Sequence, residues 1–213
     1  MKEYLETEWQ RQSQNFIERR FHVELGYPDT DVGRQAYLDT LPRFETQPKE
    51  YKNKFDIPLL VETRISWEKQ AKLAQIGISR ELGSKIGQVK PWEGNRCDTP
   101  ETPYTGWFNK WGQRFPERIT PFDARAQLKN DECGAGPLEG VAMQIAYPEF
   151  NEWVKLFDLI GCQIGANRLM VLSRCVHGVL FSETLIDYAG NKCRPLVRGS
   201  KIVTLSNLPK YSP

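Results

Sequence analysis

Residues 3–25 contain neither glycine nor proline, and Leu5, Trp9, Phe16, Ile17 and Phe21 recur at helical spacing until Gly26 and Pro28 interrupt them. The pattern predicts a long amphipathic helix over residues 1–25. Asp29, Thr30 and Asp31 then offer capping oxygens to a shorter helix carrying Val32, Ala36, Tyr37 and Leu41, which Pro42 ends. Residues 43–54 are polar and charged and read as a surface connection. The run 55–65, with Ile57, Leu59, Leu60, Val61 and Ile65, reads as a buried strand. Pro58 lacks a backbone N–H, which places the start of that strand at a sheet edge. Ser66 is positioned to cap a third helix that runs to Ile76.

Glycine, proline and charged residues interrupt every periodic signal over 77–103, which predicts a long loop with one short strand near 86–89. Tyr104 to Phe115 is the densest aromatic stretch. Its spacing suits a helix as well, and Gly106 and Gly112 favour strand. Thr120, Pro121 and Asp123 form a helix start, with that helix reaching Asn130. Another helix spans 137–147, and Pro148 restarts a turn or two through Trp153. The chain then changes character, and β-branched and aromatic runs predict strands at 156–164, 168–175, 179–185 and 196–205, separated by short turns. Helices early and strands late make an α+β protein. The expectation is a single domain over 1–213 whose helix-rich first two-thirds pack on a mixed, largely antiparallel sheet built mostly from residues 155–205.

Charge changes this picture at one end. Residues 163–213 carry seven Lys or Arg against Glu183 and Asp187, a net of +5, which leaves −3 for residues 1–162 within a total of +2. The overall charge is too small for a generic polyanion binder, so any such site must be a local patch. Arg168, Arg174, Lys192, Arg194, Arg198 and Lys201 are the candidate anion-binding residues. The opposing reading is that these bases pair with acids of the first part of the chain. Trp107 and Trp111, among Tyr104, Phe108, Lys110, Arg114 and Phe115, are candidates for stacking on nucleic acid bases. Buried strand aromatics would produce the same composition.

The remaining chemistry is sparse. Cys97, Cys133, Cys162, Cys175 and Cys193 are odd in number and widely spaced, which predicts reduced thiols rather than a disulfide framework. Cys162, Cys175, His177 and Cys193 do not have the ligand spacing of a zinc module, so no metal site is expected, and no cofactor motif is present. Gly161, Gly165 and Arg168 lack the order of a phosphate loop and fit a hairpin turn. Cys175 and His177 share a strand face without an orienting acid. With His22 the only other histidine, histidine-rich metal centres are excluded. The amino end has acids where a signal peptide needs bases, and no run approaches the ~20 apolar residues of a membrane span, so a cytoplasmic location is expected.

The stretch from Gly136 through Pro137, Leu138, Glu139 and Gly140 to Tyr147, Pro148, Glu149 and Phe150 resembles a bacterial domain-of-unknown-function family. In that family a Pro-Leu-Thr motif leads into Glu-Gly-Ile-Ala and then Pro-Glu. Gly26, Tyr27 and Pro28, the run Ile57 to Val61, and Thr120, Pro121 and Ala124 follow the same layout, so the likeness extends over most of 16–205. The chain departs from the family where the Thr-Glu of the motif is missing, and in its ending after Arg194 and Pro195. The resemblance implies a bacterial origin and one domain. No activity is attached to the family, and no catalytic residue is carried over.

The resulting expectation is a non-catalytic binding or interaction protein whose basic carboxyl-terminal patch meets a nucleic acid or an acidic protein. The first helix would be a further surface for joining a complex, and no membrane would be involved. The alternative is a small enzyme that clamps an anionic metabolite through Arg168, Arg174, Arg194 and Arg198.

Overall fold

The first helix ends at Glu18, short of the Leu25 that the apolar spacing predicts. A computed structural model describes residues 1–110, 114–115, 118–149, 156–176, 178–188 and 193–205. Helix α1 (Lys2–Glu18) buries Leu5, Trp9, Gln12, Phe16 and Ile17. It stops because Arg20 turns left-handed (φ 62°) and its N–H bonds the Ile17 carbonyl at 2.9 Å. Phe21 then stacks on Phe16 with ring centroids 4.8 Å apart. This is the hydrophobic contact that accompanies a Schellman ending. Because Phe16, Ile17 and Phe21 satisfy one helix or two, the pattern could not show the break. Helix α2 (Phe21–Glu24) ends the same way at Gly26 (φ 84°), with the Tyr27 N–H on the His22 carbonyl.

Helix α3 (Asp31–Leu38) is capped by the Thr30 hydroxyl, which accepts the Gly33 N–H at 3.2 Å. Strand β1 (Ile57–Val61) is buried throughout and lies at a sheet edge, as Pro58 requires. Helix α4 (Trp67–Leu73) begins after Ser66, whose hydroxyl makes no capping bond. The expected long loop over 77–103 is instead threaded with short elements: β2 (Gly77–Ile78), α5 (Arg80–Gly83), one 3-10 turn and β3 (Val89–Pro91). Pairing with chain far downstream holds the two strands, Gly77 opposite Leu180 and Val89 opposite Ile164, and local periodicity carries no sign of such pairing.

Strand β4 (Tyr104–Phe108) is followed by α6 (Pro121–Ala126), capped by the Thr120 hydroxyl on the Asp123 N–H at 2.9 Å. Strand β5 (Glu132–Gly134) and helix α7 (Pro137–Ala146) come next. The turns expected from Pro148 to Trp153 lie largely outside the described residues. The remaining strands are β6 (Leu156–Asp158), β7 (Cys162–Ile164), β8 (Arg168–Cys175), β9 (Gly178–Leu185), β10 (Cys193–Pro195) and β11 (Val197–Thr204).

The α+β class and the drift from helices to strands are as expected, but the strands form two sheets. The first is antiparallel in the order β1, β4, β11, β5, so three of its four strands come from before residue 135. In the second, β8 lies between β9 and the pair β6 and β7. Strands β10, β3 and β2 extend it by pairing with β6, β7 and β9, respectively. The one strand expected at 156–164 is broken at Leu159 to Gly161 because the first sheet intrudes there. The Gly161 N–H bonds the Ala135 carbonyl at 2.9 Å, and a Cβ on Gly134 would lie 2.7 Å from the Gly161 nitrogen. Only glycine permits two backbones to approach this closely. Leu196 carries the chain from β10 into β11, its N–H on the Asp158 carbonyl and its carbonyl accepting the Ala135 N–H, both at 2.9 Å.

Helices α1, α4 and α7 pack with β1 and the second sheet into the main core, which includes Phe16, Tyr37, Leu59, Tyr104, Met143, Leu172 and Phe181. A smaller cluster of Tyr51, Phe55, Phe115, Ile119, Ile160 and Val197 is separate from it. The expectation of reduced thiols needs correction: Cys97 and Cys133 form a disulfide, with Cα atoms 5.8 Å apart. Their 36-residue separation hid a proximity that only the folding of 89–103 onto β5 creates. Cys162 is a buried free thiol and Cys175 an exposed one. Among the described residues no cluster of three metal-ligating side chains occurs, and no helix is long and apolar enough to cross a membrane.

Candidate functional site

Among the described residues, the basic residues of the carboxyl-terminal third do not all lie on one surface. Arg198 is 1% exposed. Its Nε lies 3.6 Å from Glu139 Oε1, and its guanidinium sits over the Tyr104 ring, 5.3 Å from the centroid. Tyr104 donates its hydroxyl to the same Glu139 oxygen at 2.6 Å. Burial first, and the Glu139 charge second, push the Tyr104 hydroxyl well above its ordinary range. Arg198 is therefore a core residue, neutralised by an acid from the first part of the chain. Strand β11 slips register against β4 between Arg198 and Ile202, an irregularity that alternation along the sequence does not reveal.

Lys201 is exposed and ion-paired with Glu50, a hydrogen bond that raises its pKa. Arg168 pairs with Glu183 at 2.9 Å, and Lys85 holds the same carboxylate at 2.5 Å. Arg174 stands six residues along β8, roughly 20 Å of strand. Arg174 and Arg194 each keep an interaction of their own. Lys192, Trp111 and His177 lie outside the described residues. A four-arginine clamp is thus not assembled, because Arg198 is inside and Arg168 is engaged at the far end of β8 from Arg174. Two candidates do meet: half-buried Trp107 and Lys201 share a shallow groove of about 80 Å³ with Phe44 and Pro48.

A different site is built where the two sheets touch. A cavity of about 200 Å³ opens above Gly134, Gly136 and Gly161. Val89, Pro91, Trp67 and Leu138 give it apolar walls, and Lys90, Asn95, Asp98 and Thr99 give it a polar rim. Asn95 holds the rim in place by acting as a strand neighbour to β5. Its Nδ2 donates to the Gly134 carbonyl at 3.1 Å and its Oδ1 accepts the Gly134 N–H at 3.0 Å. The Trp92 N–H bonds the Gly161 carbonyl at 2.9 Å. Arg125 stacks 4.6 Å from the Trp92 ring and donates to the carbonyls of Ile160 (2.8 Å) and Cys162 (2.5 Å). Burial lowers the Arg125 pKa to about 10.

The cavity ends at the start of α7. Glu139 Oε2 accepts the Gly136 N–H at 2.9 Å, which is half of a capping box. The other half is missing, since Gly136 at the cap has no side-chain oxygen for the first-turn N–H groups of Leu138 and Glu139. Cys162 also lines the cavity. Its thiol donates to the Leu159 carbonyl at 3.2 Å, and burial pushes its pKa up to about 12. It is a thiol rather than a thiolate at neutral pH, and so a poor nucleophile.

Reasoning from the sequence placed a helix start at Pro137 but gave no role to Asn95, Gly134, Gly136 or Glu139. The available signal was Gly134, Gly136 and Gly140, three glycines within a span of seven residues. The partner that explains the first of them, Gly161, is distant in the chain. No protein-family model, no curated protein and no solved structure matches this chain, so its functional reading rests on this geometry.

Proposed function

We propose that the protein is a cytoplasmic, non-catalytic binding protein whose cavity over Gly134, Gly136 and Gly161 takes a small ligand with an apolar body and one polar edge. One observation carries this reading: apolar walls enclose the start of α7, whose first-turn N–H groups receive no cap side chain. A few oriented polar groups within an apolar enclosure are the usual composition of a ligand site. The volume is below the ~300–1,000 Å³ of drug-sized pockets, so the ligand is small. Binding is favoured over catalysis because the cavity's thiol is held protonated, its inner carboxylate, Glu139, is already engaged by Gly136, Tyr104 and Arg198, and its other carboxylate, Asp98, stands exposed on the rim.

A fragment screen by ligand-observed NMR tests the reading, using the full chain and a Thr99→Trp variant. Thr99 is exposed on the rim, so a tryptophan there fills the mouth without entering the core. Fragments that bind the wild type and are lost in the variant support the reading. Absence of binding, or binding indifferent to the substitution, rejects it.

A second reading, a polyanion site, keeps one supporting observation, the juxtaposition of Trp107 and Lys201 in one groove. It predicts binding to single-stranded nucleic acid that weakens steeply with salt and is lost in Trp107→Ala.

A further inference from the structure

The wall of the cavity formed by residues 92–99 has little of its own to hold it. No residue from Lys90 to Thr102 is fully buried, and Glu93, Gly94, Arg96, Asp98 and Thr99 are exposed. Its attachments include the Asn95 and Gly134 pair, the Trp92 to Gly161 bond, the Arg125 stack, surface contacts of Arg96 with Asn130 and of Glu93 with Lys90, and one covalent link from Cys97 to Cys133. The two sulfur-bearing residues are in unequal settings. Cys133 is fully buried on β5, paired with Arg198 of β11, and adjoins Gly134 of the floor. Cys97 is half-buried and lines the cavity itself. The bond therefore joins a lightly held wall to a buried floor.

We propose that the Cys97–Cys133 disulfide is a redox latch on this cavity: oxidised, it holds the 92–99 wall against β5, and reduced, it lets that wall swing away from the site. The inference rests on the cavity being a ligand site. The reductant is a dithiol. Its thiolate attacks Cys97 Sγ, on the less buried of the two residues, and the S–S bond breaks with Cys133 leaving as a thiolate that takes up a proton. The second thiol of the reductant then displaces Cys97, so two electrons and two protons pass to the protein and the reductant leaves as a disulfide. Disulfides in reducing compartments are mostly transient and redox-sensing, which suits the cytoplasmic location proposed above. Cys162, the cavity's other sulfur, stays out of the exchange because burial keeps it protonated.

Hydrogen–deuterium exchange on the full chain tests this, comparing protein oxidised in air, protein reduced with dithiothreitol, and reduced protein reoxidised with glutathione disulfide. Over seconds to minutes, peptides covering 90–103 are expected to exchange at least about tenfold faster when reduced and to recover on reoxidation, with β8 and β9 unchanged. Cys97→Ser should show the fast pattern in all three conditions. Unchanged exchange over 90–103 would overturn the latch, because the wall would then be held without it. Equal acceleration in β8 and β9 would also overturn it, because the bond would then be a staple for the whole fold. Exchange is read without any ligand, so an empty fragment screen would reject the binding site and leave the result on the wall standing.

Discussion

Gln12 on α1 hydrogen-bonds the backbone of β1 as another strand would, its Oε1 accepting the Leu60 N–H at 2.9 Å. Its Nε2 donates to the Pro58 carbonyl at 2.8 Å. Two residues apart on one strand edge, these are groups that an adjacent strand would engage, and they are buried. A side chain thus closes the edge of the first sheet. The Gln12→Ala substitution orphans the Leu60 N–H and removes the Gln12 Nε2 hydrogen bond to Glu8 (2.9 Å), while the Tyr147 hydroxyl, whose one proton is shared between Glu8 and the Pro58 carbonyl, stays 3.0 Å from that carbonyl. The orphaned Leu60 N–H alone sets an expected loss of about 1–3 kcal/mol, the cost of one buried unsatisfied donor. Urea titration checks it: the midpoint should fall with the slope unchanged.

The acid limb of stability follows from Glu8 and Glu132. Burial would raise both carboxyls, but hydrogen bonds from Arg11, Gln12 and Tyr147 hold Glu8 below its ordinary value. Arg114 and the Lys129 backbone do the same for Glu132. A carboxyl depressed in the folded state stabilises above its unfolded pKa, and that stability disappears as pH falls through the folded value. Stability should therefore start to decline below about pH 5. Glu132→Gln should flatten this decline while lowering stability at pH 7, since Arg114 (2.7 Å from Glu132) loses its charged partner. Urea midpoints measured from pH 7 down to acid check both signs.

Gln75 closes α4 in the left-handed region, φ 56°. Its N–H bonds the Lys72 carbonyl at 3.2 Å and the Ile76 N–H bonds the Ala71 carbonyl at 2.8 Å, the pair that defines a Schellman ending. Glycine holds this conformation without the Cβ clash, so Gln75→Gly should stabilise by up to about 1 kcal/mol after its larger unfolded-state entropy is counted. Gln75→Val should destabilise, because a branched Cβ worsens the clash. Thermal unfolding of the two variants should move the midpoint in opposite directions.

How much was legible depended on the range of the determining contact. Thr30 and Thr120 cap their helices through residues three positions on, and both starts were readable. So was the edge position of β1, because Pro58 lacks a donor whatever its surroundings. The end of α1 at Arg20, the break of 156–164 at Gly161 and the disulfide of Cys97 are set by groups whose effect depends on packing or on chain far away. The candidate site suffered most, since Asn95, Gly134, Gly136 and Gly161 are each ordinary alone and form a cavity only where two sheets meet.

Arg198 and Lys201 separate the charge of the carboxyl-terminal end into a structural and a surface part. Substituting Arg198→Glu would bury two carboxylates, the new one and Glu139, without a cation between them. Breaking a buried ion pair by changing one partner costs about 3–5 kcal/mol, a large share of the stability of a domain this size. Arg198→Met keeps length and apolar volume but leaves Glu139 facing only Tyr104 and the Gly136 N–H, so it should be destabilised less than Arg198→Glu. Lys201→Glu, on an exposed side chain, should leave the fold intact and cause only local repulsion with Glu50. Circular dichroism and urea titration of the three variants give the order Arg198→Glu, Arg198→Met, Lys201→Glu from least to most stable. If Arg198→Glu were as stable as wild type, Arg198 would lie at the surface, and the basic patch would again be a site to test.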